Sequence, residues 1–202
     1  MGDAHRFGNP RSRPAAFRLG CRSCSSQGRA GFLVLFGLGW WLPATSAFDV
    51  ATRLIQVVAG CTVALGLMLA ARRSLPPSAG GPFPAGRRRR FNRINGFQWL
   101  LIVAIAVACA RAGMPVLVPP LVAIVVGLHF LPLAVVFEQL RLRVPAALLI
   151  AAGISGLAVW LANGPDGTVR FVVGLIAALS LWGMAIWTVT GAASDAARAV
   201  RE

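Results

Sequence analysis

The sequence predicts an all-α, polytopic transmembrane helix bundle with six spans. Three observations carry that prediction. First, residues 115–137 carry no formal charge and hold one ionisable side chain, His129. As a helix rising about 1.5 Å per residue, the segment covers the roughly 30 Å hydrocarbon core of a bilayer. Second, the chain is 57% hydrophobic and 13% charged, with mean hydropathy +0.72, too apolar for the charged surface a soluble domain needs. Third, its basic residues are all arginine and gather between apolar blocks rather than inside them.

The segments follow in order. Residues 1–30 carry six arginines among Gly, Pro and Ser, and read as a disordered basic cytoplasmic arm without a core of its own. Residues 31–48 are the first apolar block, with Trp40 and Trp41 toward its outer end. A second reading takes this block as a signal peptide, with Phe32 to Leu42 as the apolar region and Thr45-Ser46-Ala47 as the cleavage site, leaving five spans. Residues 50–71 are the second span, where Gly60 and Ala64 put small residues four apart for close helix approach. Residues 72–96 form a Gly/Pro-rich connection that requires no regular structure. Its run Arg87, Arg88, Arg89 and Arg90 suits anionic lipid headgroups.

Residues 97–110 are the third span, short and alanine-rich. Residues 115–137 are the fourth, in which Pro132 and the pair Pro119-Pro120 are expected to weaken the helix. Glu138 and Arg141, three apart in the next connection, are placed to pair. Residues 144–163 are the fifth span and end in Asn163-Gly-Pro-Asp-Gly, a turn signal. Residues 169–192 are the sixth, and 193–202 a short tail. With the N-terminus inside, seventeen of the twenty arginines face the cytoplasm, and only Arg53, Arg111 and Arg170 face outward. That is the positive-inside pattern of a cytoplasmic membrane protein with both termini cytoplasmic. The Ala, Gly, Pro and Arg bias suggests GC-rich bacterial coding.

The net charge of +14 does not indicate nucleic-acid binding, because the arginines lie where spans meet headgroups. Cys21 and Cys24 form a lone CxxC with no second pair or histidine beside it, so no metal site is expected. Cys61 and Cys109 read as small packing residues. No carboxylate falls in mid-span, which argues against an acid-driven proton antiporter and a divalent-cation channel. Nucleotide-loop, HExxH and paired-histidine motifs are missing, so no cofactor is expected.

His129 is the leading candidate for chemistry. An ionisable group within a span is costly and usually faces the bundle interior or a wet cavity. With Pro132 three residues on, it suits a kinked pathway helix in a small transporter or channel. The alternative is a neutral histidine bonded to a carbonyl freed by the kink. Gly153-Ile154-Ser155-Gly156 matches the GxSG pattern of rhomboid intramembrane proteases, with Ser155 as nucleophile and His129 as its base. By residue count both lie about 12 Å from the cytoplasmic interface. Yet in rhomboids the histidine follows the serine, and the companion His and Asn of an earlier span have no counterpart here. Ala147, Ala151 and Ser155 also form a small-residue face suited to helix packing.

The run Arg93-Ile-Asn-Gly-Phe-Gln-Trp-Leu-Leu, followed by Val126-Gly-Leu-His-Phe-Leu-Pro-Leu-Ala, resembles a group of small, uncharacterised multi-pass bacterial proteins over residues 93–192. The resemblance implies a membrane bundle and no particular activity. The expected role is non-enzymatic, as a packing protein, homo-oligomer or subunit for a membrane partner.

Overall fold

A computed structural model describes residues 26–74, 85–136 and 140–199. Among them are six α-helices: α1 Ser26–Thr45, α2 Val50–Ser74, α3 Ala85–Arg111, α4 Val118–Val136, α5 Arg143–Leu161 and α6 Asp166–Ala199. Five, α2 to α6, are long and apolar enough to cross a membrane. The apolar part of α1, Ala30–Thr45, is shorter. The protein is an all-helical bundle of the kind an integral membrane protein requires, since a helix satisfies every mid-bilayer backbone group internally.

Local chemistry sets the helix ends. At the end of α1 the Thr45 hydroxyl donates to Leu42 O at 2.7 Å and the Ser46 hydroxyl to Pro43 O at 2.6 Å, supplying carbonyls that have run out of helix. After α3, Gly113 adopts φ +70°, and Met114 N–H reaches back to Cys109 O at 2.9 Å. After α5, Asn163 does the same at φ +57°, with Gly164 N–H on Val159 O at 2.9 Å. Both are left-handed C-terminal caps with the 6→1 bond, and Pro165 then prevents α5 from continuing. The turn expected at Asn163 is present.

Asp49 starts α2. Thr52 N–H donates to its Oδ2 at 3.1 Å, an N-cap bond. Hydrogen bonds from the Thr52 side chain and backbone hold the Asp49 carboxyl below its usual range. A carboxylate lowered by folding stabilises above its unfolded pKa and loses that contribution as pH falls through the folded one. The first turn of α2 is therefore expected to lose protection below about pH 4. Hydrogen exchange at Thr52 and Arg53, compared at about pH 6 and about pH 3 with intrinsic rates corrected, reads this. Equal protection at both would show that the cap does nothing.

The helices pack in the order α2, α1, α6, α5, α4, α3. The last helix is the hub: α6 lies most extensively against α1, then α5, and also meets α2 and α4. α3 is peripheral and packs mainly on α4. Neighbours run antiparallel and approach closely through glycines. A Cβ on Gly174 would lie 2.6 Å from Trp40 O, and one on Gly60 would overlap the Trp41 ring. Gly60 and Ala64 are thus both buried, as a close α1–α2 approach needs. The interior is filled by Val126, Ala146, Leu149, Ala177 and Leu181, all at 0–1% exposure.

Two expectations are corrected. The stretch 85–96, assigned to an irregular connection, is helical and forms the first three turns of α3. Arginine is a good helix former, and a helix prolonged beyond the apolar segment leaves Arg89 and Arg93 exposed. Pro119 and Pro120 do not weaken a span, because they sit in the first turn of α4, where a missing N–H costs nothing. Pro132 is the proline within α4, and the helix runs on past it to Val136. The apolar part of α6, Asp166–Gly191, ends where the sixth span is expected to end, and the helix continues to Ala199. Residues 1–25 with Cys21 and Cys24, the proposed Glu138–Arg141 pair, and the side chains of Arg87, Arg88 and Arg90 lie outside what is described.

The alternating helices also sort charge. One end holds Arg53, Arg111 and Arg170. The other holds Arg72, Arg73, Arg89, Arg93, Arg141 and Arg143.

Candidate functional site

His129 lies in the half of α4 nearer the bundle's arginine-rich end and is half-buried. Its helix neighbours Gly127 and Phe130 are buried, whereas Leu128, Leu131 and Pro132 are exposed. The ring therefore sits at the seam between the packed and outward faces of α4. It stands edge-on to Phe130, with centroids 6.5 Å apart.

The α4–α5 register decides what His129 can meet. A Cβ on Gly127 would touch Ala146 O and Ile150, and one on Gly153 would touch Pro120 O and Ile124. Ser155 is therefore level with about Pro120 and His129 with about Ala146, an axial separation of about 13 Å. Equal depth, expected from residue counts, does not hold, because the glycine contacts rather than the loop ends fix the register. Ser155 Oγ donates to Ala151 O of its own helix at 2.8 Å. The structure does not bring Ser155 and His129 together as nucleophile and base.

The small-residue face Ala147, Ala151, Ser155 is also corrected. Ala147 and Ala151 are exposed, and α5 packs instead through Ala146, Leu149, Ala152, Gly153 and Gly156. Of the cysteines expected to pack, Cys109 is buried and Cys61 is exposed.

The remaining mid-helix hydroxyls are occupied locally. Thr62, Ser180 and Thr188 donate to carbonyls four residues back at 2.6–2.8 Å, which satisfies them without a partner helix. Among the described residues no group of three or more His, Cys, Asp or Glu is placed to hold a metal.

Gln98 needed the fold to be noticed. It is only 8% exposed and lies on the side of α3 that packs against α4. Ile105 and Cys109 of α3 cluster with Val116, Leu117 and Leu121. Extending that antiparallel register places Gln98 within about one helical turn of the depth of His129.

A second feature is a tryptophan junction, in which Trp182 packs as its sequence position suggests and its partners emerge only from the fold. Trp182 of α6 is buried, its Nε1–H donates to Val34 O of α1 at 3.1 Å, and its ring lies over Gly37. Trp41 of α1 donates to Gln56 O of α2 at 2.8 Å. The two rings are 5.6 Å apart, so they join α1, α2 and α6. The usable signal was depth. Trp182 sits far from either end of its span, away from the interfacial belt tryptophans favour, so it needs a partner inside the protein.

No protein-family model, curated protein or solved structure matches the chain.

Proposed function

We propose that the chain is a non-enzymatic protein of the bacterial cytoplasmic membrane that acts through its helix faces on a membrane partner or a second copy of itself. All six helices span or enter the bilayer. The arginine-rich end and both termini are cytoplasmic, with Arg87, Arg88, Arg89 and Arg90 among anionic headgroups. The observation that carries the reading is the lopsided burial of α3. It buries one face on α4 and turns Phe97, Trp99, Leu100, Val103 and Val107 outward, while the bundle interior is filled by its own side chains.

Benzoylphenylalanine at Leu100 or Val103 is expected to photocrosslink in membranes to one discrete protein, itself or another. Lipid adducts alone at both positions would overturn the reading. Single cysteines at Ser46 and Asn163 in a cysteine-free chain should label from outside intact cells and Ser74→Cys should not. The reverse pattern would overturn the orientation.

The depth match of Gln98 and His129 favours one second reading, a small transporter or channel in which His129 lines the pathway beside Pro132. Two polar side chains at one level of adjacent helices are costly in hydrocarbon and suit a hydrated path. On that reading, proteoliposomes carry a proton flux that His129→Ala abolishes, and ring-labelled His129 titrates between about pH 5 and 8 with water access. A water-inaccessible, non-titrating ring removes the pathway.

A further inference from the structure

Arg141, in the 3-10 turn Leu140–Leu142 that precedes α5, lays its guanidinium over the Trp187 indole of α6, with Cζ 5.3 Å from the ring centroid. Gly191, one turn on, lies beside it: a Cβ there would make ordinary contact with Nη1 at 3.8 Å. Trp187 is 44% exposed and Arg141 is exposed. A guanidinium resting over an aromatic face keeps its N–H donors available to an acceptor beside the ring. The Trp187 indole N–H has no hydrogen-bond partner among the described residues, whereas those of Trp41 and Trp182 are both bonded. An indole at a membrane interface ordinarily finds an acceptor.

Below this pair α6 turns one face outward. Leu179, Gly183 and Ile186 follow at i, i+4 and i+7, and all are exposed. A Cβ built on Gly183 would meet nothing within 4 Å, so the stripe is notched there. From Trp187 to Leu179 the stripe runs about 12 Å along the helix, toward the middle of the bilayer. Donors at one end and an open apolar trough below them match the shape and chemistry of a phospholipid.

We propose that Arg141 and Trp187 hold the headgroup phosphate of an anionic phospholipid whose acyl chain lies in the Gly183 notch of α6. The guanidinium gives two parallel N–H bonds to phosphate oxygens, and the indole N–H adds a third. Arg143, two residues on, keeps the local potential positive and selects an anionic headgroup over a zwitterionic one. The assignment rests on the bilayer reading above.

The test is native mass spectrometry of the full chain in detergent, with phosphatidylglycerol, phosphatidylcholine or glycerol 3-phosphate added at matched concentration. Phosphatidylglycerol should be retained about fivefold better than phosphatidylcholine, and Arg141→Ala should remove most of that preference. Gly183→Leu changes no charge and has open space to occupy. It should lower retention of both lipids by severalfold while leaving thermal stability unchanged. Glycerol 3-phosphate should not be retained. Unchanged retention in either variant, or retention of glycerol 3-phosphate equal to that of the lipid, overturns the site. Carbonate extraction separates the two layers of inference: protein that leaves the membrane pellet refutes the bilayer reading, whereas protein that stays with unaltered lipid retention refutes the site alone.

Discussion

Gly153→Leu is expected to open the α4–α5 pair and lower the bundle's melting temperature by about 6–12 °C, against little change for Gly183→Leu. The two glycines differ only in what surrounds them. A Cβ on Gly153 would sit 2.5 Å from Pro120 O and 2.5 Å from Ile124 Cγ1. Ile124 can rotate away, but the Pro120 carbonyl is backbone in the first turn of α4 and has no rotamer to change. The helices themselves must separate, and overpacking of that kind costs about 3 kcal/mol. Because the obstacle is backbone, Ile124→Ala should not restore Gly153→Ala. A thermal scan in detergent with size-exclusion readout measures all four variants. Gly153→Leu melting with the parent protein would mean that α4 and α5 do not meet at this register.

Why this register was not legible in advance is a matter of solvent. In a water-soluble helix, polarity marks the outward face. In a bilayer, lipid-facing and core-facing residues are both apolar, so periodicity carries little information about direction. On α5 the faces Ala147-Ala151-Ser155 and Ala146-Leu149-Ala152-Gly153-Gly156 are both small and apolar, and the outward one was chosen for packing. The depth of Ser155 and His129 is a separate matter: counting from the loop ends sets them level, and only the contacts at Gly127 and Gly153 fix the register. Features set by chain-local chemistry were readable: the apolar blocks, the Asn163 turn and the small-residue approach at Gly60 and Ala64. The helical character of 85–96 was masked by competing signals, since an arginine run reads as solvated chain and as helix former alike. At the candidate site, His129 stood out as the only ionisable group inside its span, whereas Gln98 gained meaning only when α3 was laid against α4.

Trp182→Ala is expected to cost about 3–5 kcal/mol, the range for emptying a buried aromatic site. Trp182→Phe should cost about 1 kcal/mol, near the value of one interhelical hydrogen bond in a membrane. The difference decides what holds α1 in place. Val34 O lies inside α1 and accepts a helical N–H as well, so losing the indole donor does not orphan it. Losing the ring removes the contacts with Gly37 and Trp41 and leaves a void that neither helix can close while Gly174 holds Trp40 against α6. Gly37→Leu in the Trp182→Ala background should therefore recover part of the loss, whereas Gly37→Leu alone should destabilise, because a Cβ there lies 2.5 Å from the Trp182 ring. Equal losses for Phe and Ala would show that the hydrogen bond, not the packing, governs. A neutral Trp182→Ala would show that α1 is not seated on α6, which is what a cleaved leader would give. A large loss with rescue by the double variant makes α1 a working wall of the bundle, since cleavage at the 45–47 site would empty the same volume as the alanine substitution, and more.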